Sequence, residues 1–396
     1  MTLTKDSVIG VVGAGAMGQG IAQVAAVSGH RVVLSDTAPA ALDKARASHR
    51  ASFDREVEKG RLTRAAADAA VARLHYAEGA GDANLTAMAD CALVIEAIVE
   101  DAPTKQRLFC ALEAIVAPDC VLATNTSSLS VGRIASACQG PQRVVGIHFF
   151  NPAPVMPLVE VVPAITTAEQ VTAESCALVR GWGKTVVVAS DTPGFIVNRI
   201  ARPFYGESLR LLEEGVADCA TIDWALKSIG GFKMGPFELM DFIGNDINYA
   251  VTCSVFEAMY YDPRYRPALT QRRLVEAGLL GKKSGRGYYD YRAGAVAPHP
   301  NTDAALGQQI VDRVVAMLIN EAAEALHLRV ATAQDIDLAM TKGVNYPRGL
   351  LAWADEMGSA TVLARLDALR HEYNEDRYRA SPRLRRVAAA GGKLNV

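Results

Sequence analysis

The sequence predicts an α/β domain, a largely parallel sheet with helices on both faces, followed by two tandem all-α domains. Three observations carry this expectation. Short apolar runs alternate with helical patterns through the first part of the chain. Strand signals nearly vanish after a Pro-Gly break near residue 190. The segment from residue 300 onward then repeats the segment before residue 293.

Taken in order, Val8–Val12, Arg31–Ser35, Ala92–Glu96, Val121–Thr124 and Val144–His148 read as buried strands ending at or near a polar residue. Helical spacing lies between several of them, at Met17–Ser28 and Thr104–Val116. Such alternation specifies parallel strands joined by helical crossovers, and ligands of these sheets collect at the carboxyl ends of the strands. Val186–Ala189 is strand-like and runs into SDTPGF, whose Pro-Gly pair breaks the pattern. Beyond it, Arg199–Glu214 and Cys253–Tyr261 carry helical apolar spacing. The Ala-, Gly- and Pro-rich stretch Arg292–Pro300 suits an exposed linker. The expected organisation is therefore residues 1–190, an α/β domain; 191–293, a helical domain; and 300–396, a second helical domain.

The two helical segments align without a gap when Asp223 is set on Asp337. Asp223, Ala225, Gly235, Asp241 and Gly244 then fall on identical residues, and the same offset sets Glu207 on Glu321. A shared amphipathic period would match apolar residues but not glycines and aspartates, so the pattern reads as a duplication.

Bulk properties exclude several classes. With 396 residues and a formal net charge of −2, the chain is long enough for several domains and has no basic field for nucleic acid. No segment approaches the ~18 uninterrupted apolar residues of a membrane span, and the N-terminus runs straight into a strand without a cleavable leader, so a cytoplasmic protein is expected. The seven cysteines form no CxxC pair and no metal-like spacing with histidine, which leaves free thiols and no metal site as the expectation.

The stretch VIGVVGAGAMGQGIAQ places Gly13, Gly15 and Gly18 in a G-x-G-x-x-G pattern, after an apolar strand and at the opening of a helix. Gly13 permits the tight turn, Gly15 lets a pyrophosphate approach the backbone, and Gly18 lets the helix pack close to the strand. The next strand ends at Asp36, where a carboxylate accepts from both ribose hydroxyls and repels a 2′-phosphate. Together these specify a Rossmann-type domain that binds NAD rather than NADP.

A nicotinamide-dependent oxidation needs a base for the hydroxyl proton, and histidine suits that work near neutral pH. His148 ends a strand at the edge where such sheets hold their ligands, and Glu160 follows in the strand-like LVEVV after the short loop NPAPVMP. A carboxylate on one ring nitrogen fixes the tautomer and stabilises the imidazolium. Read alone, a histidine such as His148 is more often a hydrogen-bonded structural residue than a base.

The successive stretches ATNTSSLS, GIHFFNPAPVMPLVEVV, DTPGFIVNRI and GLLGKKSGRGYYDY resemble the signatures of L-3-hydroxyacyl-CoA dehydrogenases, a family that includes 3-hydroxybutyryl-CoA dehydrogenases. The resemblance covers about residues 5–292, and the tail resembles the family's C-terminal domain again. It implies NAD-dependent oxidation of a (S)-3-hydroxyacyl-CoA to a 3-oxoacyl-CoA, as in fatty acid β-oxidation. By position in the motifs, it implies His148 as general base, Glu160 as the acid that orients it, and Ser127 and Asn198 as donors to the substrate oxygen and the nicotinamide region. It further implies NAD contacts at Ala16 and Met17 within the glycine loop, and at Asp36, Glu100, Lys105, Asn125, Ser127, Asn151 and Lys283. The basic arm ALDKARASHRASFDREVEKGRL matches the segment that touches coenzyme A, with Ser52 and Lys59 at the matching positions.

The tail departs from the family pattern. Asp312 stands at the position of Asn198, and the chain ends in GGKLNV before anything like GKKSGRGYY. A degenerate copy of the helical domain is therefore expected to be structural. It replaces a partner subunit's domain and leaves a monomer, or a dimer formed through another surface. Two alternatives stay open: a dehydrogenase of a non-CoA 3-hydroxy acid such as a sugar acid, and a non-catalytic NAD-binding relative.

Overall fold

The computed structural model describes residues 3–77 and 81–395. Two compact units divide the chain, Met1–Thr192 and Pro193–Val396.

Among the described residues the first unit has one eight-stranded sheet. Its strands are β1 (Ile9–Val12), β2 (Val32–Ser35), β3 (Leu74–Tyr76), β4 (Leu93–Glu96), β5 (Val121–Thr124), β6 (Val144–Phe149), β7 (Leu158–Pro163) and β8 (Thr185–Val188). They lie in the order β3-β2-β1-β4-β5-β6-β7-β8. Neighbours pair in parallel except β6 and β7, which are antiparallel. Strands β1, β2, β4 and β5 are buried at every position, as expected where helices cover both faces. The order turns outward on either side of β1 and β4, which makes a crevice at their carboxyl ends.

The helices of this unit are α1 (Ala16–Val27), α2 (Pro39–Glu58), α3 (Arg64–Arg73), α4 (Ala102–Glu113), α5 (Val131–Ala135) and α6 (Glu169–Gly181). Local chemistry fixes where α4 starts. Asp101 accepts from the Thr104 N–H at 2.9 Å and Pro103 follows in the first turn, so the helix begins before the expected Thr104. Strand β3 was not expected. Its three residues, Leu-His-Tyr, are too few to show alternation after a helical run.

In the second unit the expected helix over Arg199–Glu214 is interrupted, as α7 (Val197–Ile200) and α8 (Arg202–Glu213), with Pro203 in the first turn of α8. There follow α9 (Cys219–Ser228), α10 (Pro236–Ile243), α11 (Asn245–Ala258), α12 (Leu269–Glu276), α13 (Ala304–His327), α14 (Ala333–Gly343), α15 (Leu350–Met357), α16 (Ser359–Tyr373) and α17 (Pro382–Ala390). Helix α11 ends at Ala258, short of the expected Tyr261, because Tyr260 and Tyr261 turn left-handed (φ 52° and 62°).

The internal repeat extends to individual hydrogen bonds. Asp223 accepts from the N–H groups of Phe237 and Glu238 at 2.9 Å each. Asp337 does the same for Leu351 and Ala352 at 2.8 and 3.0 Å. Each aspartate thus caps the helix that follows it, α10 or α15, across a glycine whose Cβ would collide with the carboxylate. Asp241 accepts from Tyr288 and Tyr289 at 3.0 and 2.9 Å, and Asp355 from Leu394 and Asn395 at 2.7 and 3.0 Å. The chain's last residues therefore dock on Asp355 as the GYY stretch docks on Asp241. This corrects the expectation that the second copy stops before any counterpart of that stretch. The two segments share a docking carboxylate but almost no sequence, which is why alignment missed them.

Candidate active site

The glycine loop follows β1. Gly13 is left-handed (φ 105°), and a Cβ there would lie 2.5 Å from the Ala97 carbonyl oxygen. At Gly18 a Cβ would meet the Gly13 oxygen at 1.7 Å. Around Gly15, by contrast, a Cβ would meet nothing within 4 Å beyond its own chain neighbours. A side chain at Gly15 would project into open space, which is what a loop shaped to receive a pyrophosphate requires. Gly15 is also the N-cap of α1, with Ala16 and Met17 in its first turn. No side chain caps this end and no acidic residue lies in the turn, so the helix presents backbone N–H groups to an anion.

Asp36 follows β2 and accepts from Ala14 N at 2.7 Å on one oxygen and from Ala38 N at 2.9 Å on the other. A carboxylate offers about four lone-pair sites, so each oxygen keeps one for a ribose hydroxyl. Asn84, which the sequence did not signal, accepts from Ser35 Oγ at 2.8 Å and donates to the Asp36 carbonyl at 2.5 Å. Loop and carboxylate border a cavity of about 630 Å³ whose far wall includes Ile98, Val99, Arg107 and Leu108. The residues present fit a dinucleotide.

His148 and Glu160 face one another across the antiparallel pair β6–β7. Directly opposed residues share a face of the sheet. His148 Nδ1 lies 2.7 Å from Glu160 Oε2, with the imidazole 5% exposed and the glutamate fully buried. With Nδ1–H donating to the carboxylate, the lone pair of the neutral imidazole lies on Nε2. Asn125 anchors the same edge, its Oδ1 accepting from Phe149 N at 2.9 Å. Lys184, another residue that no motif marks, donates to the carbonyls of Ala153 and Met156 at 2.6 and 2.8 Å. It ties down the loop that joins the two strands, and burial pushes its pKa below the ordinary lysine value.

Ser127 lies in the turn after β5, and the carboxylate of Glu100 organises that turn. One Glu100 oxygen accepts from Thr126 Oγ at 2.6 Å, Ser127 N at 3.0 Å, Ser128 N at 3.2 Å and Ser128 Oγ at 2.9 Å. The other oxygen lies 3.1 Å from Lys105 Nζ, which also sits 2.6 Å from Glu96. Burial raises the Glu100 pKa, but the Lys105 charge and the hydrogen bonds from Thr126, Lys105 and Ser128 outweigh it and hold the group below its ordinary value. Lys105 is 1% exposed. Its ammonium therefore acts on the serine turn through Glu100. Asp191 closes the far end of the turn, accepting from Ser130 Oγ, Val131 N and Gly132 N at 2.8, 3.0 and 2.7 Å.

A second cavity of about 790 Å³ lies along α1 and the basic arm α2, lined among others by Gln19, Ser52, Arg55, Arg61, Asn151 and Lys184. Lys59, the C-cap of α2, is exposed outside that lining. Buried His49 joins the arm to α1. Its Nε2 donates to the Gln19 carbonyl at 2.8 Å and its Nδ1 accepts from Tyr76 Oη at 2.9 Å. Burial pushes the His49 pKa down, against the Gln19 hydrogen bond.

The helical unit holds the two remaining expected residues. Asn198 is half-buried on α7, and its carbonyl accepts from Arg202 Nε at 2.8 Å. Lys283 is exposed and pairs with Asp246 at 2.6 Å. Among the described residues no cluster of His, Cys, Asp or Glu is arranged to hold a metal ion, and no helix is long and apolar enough to cross a membrane.

The model of the 3-hydroxyacyl-CoA dehydrogenase NAD binding domain matches residues 8–192. That of the 3-hydroxyacyl-CoA dehydrogenase C-terminal domain matches 194–291 and again 310–394. The chain is 40% identical to a 3-hydroxyadipyl-CoA dehydrogenase of Escherichia coli K12, over 96% of this chain and 97% of the relative. It is 41% identical to a 3-hydroxybutyryl-CoA dehydrogenase of Bradyrhizobium diazoefficiens, over 73% of this chain and 97% of that one. A crystal structure of 3-hydroxybutyryl-CoA dehydrogenase from Escherichia coli K12 superposes with a TM-score of 0.93 at 38% identity, covering 98% of this chain and 99% of the other.

Proposed function

Since the chain belongs to the 3-hydroxyacyl-CoA dehydrogenase family, an NAD-dependent oxidation of a 3-hydroxyacyl-CoA is its reaction, and we propose that His148 and Glu160 carry the proton transfer. The carrying observation is the 2.7 Å contact between the two side chains, buried at the strand ends where α/β sheets hold their ligands. NAD, when bound, accepts the hydride that leaves C3 of the substrate. His148 takes the 3-hydroxyl proton at Nε2 as the carbonyl forms, and the Glu160 carboxylate steadies the imidazolium that results. Ser127, held by Glu100, and Asn198, by its place in FIVNRI, are proposed to donate to the substrate oxygen, where negative charge builds. Ser52, Arg55 and Arg61 on the second cavity are proposed to receive the coenzyme A moiety, whose phosphates suit guanidinium groups.

The test is NADH formation with (S)-3-hydroxybutyryl-CoA, (S)-3-hydroxyadipyl-CoA and free 3-hydroxybutyrate. Turnover of the thioesters alone is expected. Turnover of the free acid, or of none of the three, would overturn the proposal. Asp36→Ala is expected to raise the NADH dissociation constant by about 10- to 100-fold, the cost of hydrogen bonds to a charged group. A fluorescence titration indistinguishable from the parent protein would remove Asp36 from the ribose.

We further propose that residues 300–396 stand in for a partner subunit's helical domain. Glu207 on α8 receives Arg313, Arg377 and Tyr378 at 3.0, 2.6 and 3.1 Å, all from the second copy. Its counterpart Glu321 on α13 receives Arg199, Arg264 and Tyr265 at 2.6, 3.4 and 2.5 Å, all from the first. This reciprocal pattern is that of an isologous two-fold interface, drawn within one chain. The protein is expected to be a monomer, or a dimer through another surface. Light scattering and cross-linking that reveal a dimer joined through residues 199–292 alone would refute this.

A further inference from the structure

We propose that Arg107 is an adenine-binding residue, its guanidinium plane stacking on the purine of the dinucleotide. The inference rests on the reading that the cavity beside Asp36 takes NAD, and adds to it a contact that neither the glycine loop nor the ribose carboxylate supplies.

Arg107 lies on α4, in the wall of that cavity across from the β2 end where Asp36 marks the ribose. Its Nη2 donates to Thr104 Oγ at 2.9 Å, and Thr104 Oγ donates to Asp101 Oδ2 at 2.6 Å. Asp101 also caps the helix through Thr104 N. The capping chemistry that starts α4 thus holds the guanidinium at the cavity before any ligand arrives, so little side-chain freedom is left to lose on binding. Beside Thr104, the lining near Arg107 is apolar: Ile98, Val99, Leu108 and Ala111, with Leu85 also on the cavity. Val99 is 67% exposed, so this shelf offers apolar surface to a flat ring. An adenine ring presents two π faces, one suited to an apolar shelf and the other to a planar cation. Sequence alone does not point to this contact, because Arg107 is one basic residue in an amphipathic helix and belongs to no motif.

The test titrates the full-length protein and its Arg107→Ala and Arg107→Lys variants with NADH, NADPH, AMP and nicotinamide mononucleotide. Arg107 is exposed, so both variants should fold as the parent does. Expected for Arg107→Ala is a rise of about 3- to 30-fold in the dissociation constants of NADH and AMP, the range of a cation–π contact, with nicotinamide mononucleotide unchanged. Lysine is expected to recover only part of the loss, since it keeps the charge and lacks the plane. Full recovery by lysine would assign the effect to phosphate attraction and overturn stacking. So would equal AMP affinity in parent and alanine variant, or a weakening of NADPH larger than that of NADH, which would put Arg107 at the 2′ position. Failure of the parent to bind NADH would strike the underlying cofactor reading instead, and that outcome is separate.

Discussion

His148→Gln is expected to lower kcat by about 10²- to 10⁴-fold while the NADH dissociation constant changes little. Glutamine preserves much of the volume of the ring and a polar end, so β6 should still pair with β7. What it removes is a group able to take a proton from an alcohol and give it up again. NADH contacts are proposed along the glycine loop and Asp36, on β1 and β2, away from the His148 position in strand order. Glu160→Gln supplies a second reading of the same site. It keeps a hydrogen-bond acceptor for Nδ1–H but withdraws the negative charge beside the ring, so kcat should fall while the NADH dissociation constant changes little. The direction follows from the charge, since a carboxylate at 2.7 Å stabilises the imidazolium formed in turnover and an amide does not. Steady-state kinetics with stopped-flow cofactor binding separates these outcomes. A His148→Gln variant with weakened NADH binding and intact single-turnover chemistry would assign the histidine to the cofactor and remove it as the base.

Much of this site was legible before any coordinates. The glycine spacing, Asp36 and the strand-end position of His148 are local features, and local features survive in sequence. Glu160 was readable because a short loop between two strands implies a hairpin, and antiparallel register then brings the two residues face to face. The supports were not legible. Lys184, Asn84, Asp191 and His49 act through backbone carbonyls and N–H groups far along the chain, and a backbone partner leaves no trace in residue type. Lys105 shows the complementary limit. The motif marks the position, but only the fold reveals an ammonium buried between Glu96 and Glu100 that organises the serine turn. In the helical unit the repeat was visible through Asp and Gly, whose capping geometry admits few substitutes. The docking of Leu394 and Asn395 was not visible, because main-chain N–H groups make the hydrogen bonds to Asp355.

The second large effect is expected in stability, at the cluster that joins the two helical copies. Glu321→Leu should destabilise the helical unit by about 3–5 kcal/mol, the usual cost of stripping the partner from a buried charge. Arg199 and Glu321 are each 1% exposed, so the Arg199 guanidinium would lose its acceptor with little water to replace it, while Arg264 keeps Asp262 at 2.7 Å. Burial alone would lower the pKa of Arg199, yet the charge of Glu321 raises it above its ordinary value, which marks how strongly the carboxylate holds the cation in place. Replacing Arg199 and Glu321 together by leucine should cost less than the single change, because the buried Arg199 charge then leaves with its partner. Chemical denaturation in a Trp182→Phe background follows this unit directly, since the remaining tryptophans, Trp224 and Trp353, both lie within it. Because the arginines come from one copy and the glutamate from the other, the lost energy is the energy that clamps the copies. Glu207→Leu should therefore reproduce the effect from the opposite side, by removing the acceptor of Arg377, while Arg313 keeps Glu214 as Arg264 keeps Asp262. Equal losses from the two glutamates support a pseudo-two-fold interface. A loss below about 1 kcal/mol for either, within the range of an exposed pair, would show that the copies are held by apolar packing and that the reciprocal ion pairs are incidental to it.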